Sequence, residues 1–228
     1  MKKHVLITGG TDGIGKVTAR RLVEAGLTVT ILGRDEAKTK KVAKEIEANY
    51  VVADVSDYDQ VATAVEKAER ASGPVDILIN NAGVWLSQPL AETNPELIKR
   101  TIEINTLGTI YLVRAVAPSM QARKSGRIIN VVSQAGFRFS PDRTVYHASK
   151  WAITGFTKAL QQELRVHNIS VVGFYPGAMN TQFFAKAGDV KDRSQALAPE
   201  LAADALVHLC TLPDSVEVME YGLQSLEY

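Results

Sequence analysis

Short apolar runs rich in β-branched residues recur along the chain, and between them lie longer stretches in which apolar residues return every three or four positions. The first pattern suits strands buried on both faces, the second amphipathic helices. The runs predict strands near 4–8, 27–32, 49–53, 75–79, 127–132 and 169–175, with a fainter one near 216–219. The periodic stretches predict helices near 14–25, 36–47, 58–71, 95–122, 144–167 and 200–211. Gly26, Gly73-Pro74 and Gly126 punctuate the returns from helix to strand, where helix ends favour glycine and proline. Strands alternating with helices build a parallel sheet covered on both faces. The expected fold is therefore α/β, a doubly wound parallel sheet of about six to seven strands. Its ligand should lie at the carboxyl ends of the strands, where strand order reverses.

Composition narrows the picture. The 228 residues, 46% hydrophobic and 22% charged, suit one domain over 1–228, with no linker or repeat dividing it. Lys and Arg number 26 against 25 Asp and Glu, so no basic footprint for nucleic acid or an anionic membrane is expected. Cys210 is the only cysteine, and His4, His147, His167 and His208 are scattered. Neither a disulfide nor a metal site is expected from them. Val5-Leu6-Ile7 runs straight into glycines, and no apolar run is long enough to span a bilayer. A bacterial-type cytoplasmic setting follows as the expectation.

Candidate chemistry gathers at the predicted strand ends. Thr8-Gly9-Gly10-Thr11-Asp12-Gly13-Ile14-Gly15 links the first strand to the first helix, the order a nucleotide site requires. Glycines let a pyrophosphate approach the backbone, and the helix N-terminus offers N–H groups and partial positive charge. The spacing is T-G-x-x-x-G-x-G and not G-x-G-x-x-G. Tyr146 and Lys150 stand four apart and so share one helix face, where an ammonium favours the phenolate of a neighbouring tyrosine. Asn80-Asn81-Ala82-Gly83 and Ser133 follow two further strands. By themselves the asparagines also read as an ordinary turn, and Ser133 as a helix cap or a solvated hydroxyl.

In this combination the chain resembles the short-chain dehydrogenase/reductase family, in its compact single-domain branch with a Rossmann-type fold. The match runs in order from Thr8 to about Thr181. The resemblance implies a cofactor site from Gly9, Thr11, Asp12, Gly13, Ile14 and Gly15, with Asp54 and Val55 at the adenine. Asn81, Ala82 and Gly83 would stabilise the sheet end, and Pro176, Gly177 and Thr181 would line the nicotinamide side. It further implies a catalytic tetrad of Asn105, Ser133, Tyr146 and Lys150. Tyr146 would be the general acid in reduction and the base in oxidation, with Lys150 lowering its pKa and binding the nicotinamide ribose. Ser133 would hold the substrate oxygen. Asn105 would sit at a backbone irregularity inside a long helix; its residue type alone also fits a buried, satisfied amide.

Cofactor preference turns on Val29-Thr30-Ile31-Leu32-Gly33-Arg34-Asp35. An acidic residue at the strand end would bind a ribose 2′-hydroxyl; Gly33 stands there, and Arg34 suits a 2′-phosphate. NADP is expected in preference, with some use of NAD. Asp12 and Asp35 argue the other way unless they serve as helix N-caps. For the substrate, a small ketone, hydroxy acid or similar carbonyl/alcohol compound, the expected residues are Trp85, Gln134, Phe137, Arg138, Arg143 and Phe183. Phe139 and Phe184 are further aromatics for that pocket. The two arginines read either as anchors for a carboxylate or phosphate, or as solvated or subunit-contact residues. His147 reads as a packing residue, and residues 178–198 as a short substrate lid. Apolar positions such as Leu97, Ile98, Ile102 and Leu107 lead to a homodimer as the expected assembly, with a homotetramer as the alternative. The leading activity is an NADP-preferring carbonyl reductase or alcohol dehydrogenase. Two alternatives stand: a 3-oxoacyl-carrier reductase, whose docking face would involve Arg123, Lys124 and Arg127, and a non-catalytic NADP-binding sensor or scaffold.

Overall fold

A computed structural model describes residues 2–227 of the chain; Met1 and Tyr228 lie outside them. Seven strands, β1 (His4–Thr8), β2 (Thr28–Gly33), β3 (Asn49–Val52), β4 (Ile77–Asn80), β5 (Gly126–Val131), β6 (Ile169–Pro176) and β7 (Glu220–Leu223), form one sheet in the order β3-β2-β1-β4-β5-β6-β7. All pairs are parallel. Strand order reverses between β1 and β4, so the carboxyl ends of those two strands open the crevice in which such sheets bind ligands.

Strand alternation divides the core into two layers. Leu6, Leu32, Leu78 and Ile128 face α3 (Tyr58–Ser72), α5 (Gly108–Arg123) and α6 (Thr144–Arg165). Val5, Ile7, Ile31, Ile79, Val172 and Phe174 face α1 (Gly13–Glu24), α2 (Glu36–Glu45) and α8 (Pro199–Thr211). Each such side chain, fully buried, contributes about 1.5–3 kcal/mol. Helix starts are set by short acceptors. Asp12 caps α1, Asp35 caps α2 and Asp57 caps α3 through their carboxylates, which satisfies first-turn N–H groups.

Three expectations are corrected: the long helix, the seventh strand and the docking face. The helix predicted over 95–122 is α4 (Pro95–Ile102), a π-helical turn (Glu103–Leu107) and α5. A π turn adds a residue to the helical ring and swings its side chains, here Asn105, out of the regular stripe. The seventh strand lies at 220–223 and not at 216–219. Arg127, 4% exposed, donates to the carbonyls of Leu209, Leu212, Pro213 and Val216, so those backbone acceptors are taken before sheet pairing can begin. That burial also removes Arg127 from any docking face, and Arg123 is held by Asp76 and the carbonyl of Val75. The segment expected as a lid, residues 178–198, includes a short helix, α7 (Gln182–Ala185).

Candidate active site

The glycine turn leaves β1 and enters α1 as the sequence predicts. Gly9 has φ +65°, a left-handed conformation open to glycine. At Gly15 a Cβ would stand 2.3 Å from the carbonyl oxygen of Gly9 and 2.5 Å from Asn81 Nδ2, so no side chain fits. The Thr8 hydroxyl accepts from the backbone N–H of Asn81 at 3.0 Å and of Ala82 at 2.9 Å, and Asn81 Nδ2 donates back to the Thr8 carbonyl at 2.9 Å. These bonds clamp the ends of β1 and β4 together across the switch point. Ile14 is buried beneath the turn. Thr181, the N-cap of α7, is the nearest neighbour of the Gly13 position at 3.7 Å. The segment after Pro176-Gly177 therefore folds over a cradle kept free of side chains, and the residues fit a dinucleotide pyrophosphate.

Asp12 accepts from the N–H of Gly13 at 2.8 Å, from Lys38 Nζ at 3.0 Å and from Lys186 Nζ. Burial opposes its ionisation, but these donors hold the carboxyl well below the usual carboxylate range. Asp35 is committed to the N–H of Lys38 at 2.9 Å. At the end of β2, a Cβ on Gly33 would meet Thr39 Oγ1 at 2.5 Å and Thr11 Cγ2 at 2.8 Å. An acidic side chain is sterically shut out of that position, and exposed Arg34 stands beside it. At the end of β3, Asp54 accepts from the Ser56 N–H and hydroxyl, with Arg100 Nη2 at 3.4 Å. Val55 is buried against Gly108 of α5.

The four tetrad residues converge. Tyr146 and Lys150, both buried, lie one turn apart on α6, with Lys150 Nζ 5.9 Å from the Tyr146 ring centroid. Lys150 donates to the Val131 carbonyl at 3.2 Å. Asn105 bonds Val84 through both ends of its carboxamide and donates to Ser149 Oγ at 3.1 Å. A Cβ on Gly83 would fall 3.2 Å from Asn105 Oδ1 and 3.9 Å from Lys150 Nζ, which places Gly83 between them. Ser133 accepts from the N–H of Ala135 at 3.2 Å as a cap, and its hydroxyl acts on the Tyr146 phenol in the direction that lowers the phenol's pKa.

The electrostatics differ from the expected sign. Burial pushes the Tyr146 phenol up to about 12; the Ser133 hydrogen bond and the charge of Arg143 pull the other way. Burial lowers the Lys150 amine to about 8. Loss of hydration dominates both shifts, because each group is buried.

Around Tyr146 the aromatic residues form a ladder: Trp85 meets Tyr146 edge-on at 4.6 Å, and Phe184 and Phe183 meet Trp85 at 4.9 and 6.4 Å. Arg143 lies over the Trp85 ring at 5.0 Å. Phe139 is 82% exposed and stands outside this cluster, while Phe137 packs on Tyr175. Gln134 and Arg138 are tied to a residue the sequence reading passed over: Gln224 Oε1 accepts from Gln134 Nε2 at 2.7 Å and from Arg138 Nη1 at 3.1 Å. Arg193 was also missed; it pairs with Asp189 at 2.7 Å and lies 3.8 Å from the Phe184 ring centroid. His147 is more than packing, since its ring bonds Ala135 O at 3.0 Å and Ser140 N at 3.1 Å.

A doubly wound sheet with a dinucleotide cradle and a buried tyrosine at its switch point defines a class of nicotinamide-dependent oxidoreductase. The sequence model of the short chain dehydrogenase family matches residues 3–192, and the chain belongs to that family. An uncharacterised oxidoreductase of Staphylococcus saprophyticus is 35% identical over 225 residues, covering 96% of this chain and 95% of that protein. A 3-dehydrosphinganine reductase of Danio rerio is 38% identical over 207 residues; these cover 86% of this chain and 62% of the zebrafish protein. The alcohol dehydrogenase of Thermococcus sibiricus, solved with 5-hydroxy-NADP, superimposes with a TM-score of 0.92 at 28% identity, covering 100% and 98% of the two chains. The chain is thus a dehydrogenase/reductase acting on CH–OH groups with a nicotinamide cofactor. No helix among the described residues is long and apolar enough to cross a membrane.

Proposed function

We propose that the protein interconverts a small ketone or aldehyde and its alcohol, with NADP preferred over NAD. The observation that carries this reading is the buried Tyr146 phenol, whose pKa Ser133 pulls down and whose ring Trp85 meets edge-on at 4.6 Å. When bound, the nicotinamide supplies or accepts the hydride. Gly9, Thr11, Asp12, Gly13, Ile14 and Gly15 hold its pyrophosphate, Asp54 and Val55 its adenine side, and Asn81, Ala82, Gly83, Pro176, Gly177 and Thr181 its nicotinamide side.

The chain's own residues handle the proton. A phenol held at about 12 keeps its proton at neutral pH and so stands ready to give it to a carbonyl oxygen as hydride reaches the carbon. Ser133 donates to the same oxygen and stabilises charge that grows in the transition state. Lys150 favours the phenolate left behind and returns the proton, and Asn105 fixes the loop and helix that carry both. Residues 178–198 act as a lid over the aromatic ladder. Arg34 binds the 2′-phosphate, a reading supported by the closed Gly33 position and by the capping duties of Asp12 and Asp35. Leu97 and Trp151, 44% and 47% exposed, mark the face of α4 and α6 through which we assign a homodimer.

Initial rates with NADPH and NADH over a panel of ketones, aldehydes and hydroxy acids test the activity. Tyr146→Phe should lose at least a thousandfold in kcat while its NADPH affinity, read by nucleotide fluorescence, stays within a few-fold. A Tyr146→Phe protein with near wild-type turnover would overturn the mechanism.

A further inference from the structure

Arg143 sets a guanidinium beside the tyrosine, and its charge has no carboxylate partner among the described residues. Its neighbours are committed. Arg138 donates to Gln134 Oε1 and Gln224 Oε1 and lies over Phe137 at the exposed rim. Arg193 is paired with Asp189, and Lys186 with Asp12. Arg143 donates only to the Ser140 hydroxyl, at 3.2 Å. Of five N–H donors, one is hydrogen-bonded to a protein acceptor among the described residues, although the residue is half-buried.

Its position ties it to the reacting centre. Arg143 immediately precedes α6, one turn before Tyr146. The Trp85 ring has the guanidinium at 5.0 Å and the Tyr146 ring at 4.6 Å, so a single indole separates cation from phenol. The charge of Arg143 is felt at the phenol itself. A guanidinium partly stripped of water beside apolar walls is a strong binder of a planar anion, because two parallel N–H bonds replace the lost hydration. None of Asn105, Ser133, Trp85, Gln134, Phe183 and Phe184 offers a negative charge to compete for it.

We infer that the substrate carries a carboxylate close to the reacting carbon, and that Arg143 anchors it while Tyr146 and Ser133 take the carbonyl or hydroxyl oxygen. The substrate class is a short oxo acid or its hydroxy acid. This rests on the carbonyl/alcohol reading of the site. The anchor acts by placing the reacting carbon, so it lowers KM for acids and leaves long neutral chains without a counterpart. The short indole span favours acids in which few bonds separate the two functional groups.

Matched substrates test it: 3-hydroxybutyrate against its methyl ester, oxidised by the NADP-loaded protein. The wild type should prefer the acid by at least thirtyfold in kcat/KM. Arg143→Gln should bring that ratio to within threefold of unity, chiefly through KM for the acid, and Arg143→Lys should recover part of it. Equal turnover of acid and ester by the wild type, or an unchanged ratio in Arg143→Gln, would overturn the proposal while sparing the oxidoreductase reading. Calorimetric titration of the NADPH-loaded protein with malonate gives a readout without turnover. Binding weakened at least tenfold by Arg143→Gln supports the anion site even if no panel alcohol reacts, an outcome that would count against the activity alone. Malonate binding indifferent to Arg143 would count against the anchor.

Discussion

Asn105 and Val84 exchange two hydrogen bonds: the Val84 N–H donates to Asn105 Oδ1 at 2.8 Å, and Asn105 Nδ2 donates to the Val84 carbonyl at 3.0 Å. The same Nδ2 reaches Ser149 Oγ on α6 at 3.1 Å. One carboxamide therefore locks the loop that presents Trp85 to the helix that presents Tyr146 and Lys150. The π turn is what makes this reach available, since it releases Asn105 from the regular helical stripe. Asn105→Ala leaves the Val84 groups and the Ser149 hydroxyl without that partner, at about 1–3 kcal/mol for each group that stays buried and unpaired. Urea denaturation should show about 2–4 kcal/mol lost, with kcat down at least tenfold. A loss below about 0.5 kcal/mol, the range of an unremarkable surface change, would show that the amide holds nothing in place.

Lys150 gives the cofactor-free protein a defined pH dependence. In the unfolded chain the amine keeps its proton up to about 10.5, whereas burial in the fold lowers it to about 8. Between those values the unfolded state binds more protons, so stability rises with pH across the window and is reduced below it. The full depression corresponds to roughly 3 kcal/mol. Tyr146 and Cys210, both pushed up to about 12 by burial, act in the opposite direction as pH rises past their unfolded values. The difference between wild type and Lys150→Met isolates the amine. From pH 7.5 to 10 the wild type should gain about 1–3 kcal/mol on the variant in urea unfolding; a flat difference would contradict the burial argument.

Legibility from sequence follows the range of the interactions. Val5-Leu6-Ile7 and the helix carrying Tyr146 and Lys150 were readable because strand alternation and the i, i+4 spacing are local. The cofactor turn was readable because its glycine spacing is local, with Gly15 pressed against the Gly9 carbonyl, although Asn81, Ala82, Ile31 and Thr181 close in on the other glycines from afar. Val216–Met219 alternates like a strand, yet Arg127, far off in sequence, claims the carbonyl of Val216, and no local pattern records that. Gln224 was invisible for a related reason, since its partners Gln134 and Arg138 lie 90 and 86 positions away. The burial that dominates the Tyr146 shift has no local signature because it sums over walls from several elements, whereas the nearby lysine is visible in five letters.

On the proposed reading, Arg34 selects NADP over NAD. It stands exposed past Gly33, where Thr11 and Thr39 leave no room for an acidic side chain. A guanidinium–phosphate pair is charge-assisted and bidentate, so its loss should fall on one cofactor. Arg34→Ala should raise KM for NADPH by at least tenfold and change that for NADH by less than threefold, as read from initial rates with a common substrate. Equal changes for both cofactors would remove the residue from the 2′-phosphate site.

His147 sets the backbone that aims Ser133. Ser133 has φ +127°, unfavourable for a residue with a side chain, and such conformations cost of order 1–3 kcal/mol unless the surroundings enforce them. The backbone N–H of Ser140 can only donate, so His147 Nε2 is the acceptor there at 3.1 Å. The ring proton then sits on Nδ1 and is donated to the Ala135 carbonyl at 3.0 Å. A neutral imidazole thus spans the loop from Ala135 to Ser140 and braces its strained start. His147→Phe keeps a ring of similar size but neither bond, and should lose about 1–2 kcal/mol of stability with kcat reduced five- to tenfold and KM nearly constant. His147→Gln should restore part of kcat, because its amide oxygen can still accept from Ser140. A variant that loses stability without changing kcat would reduce the histidine to packing and leave Ser133 positioned by Ala135 and Gly136 alone.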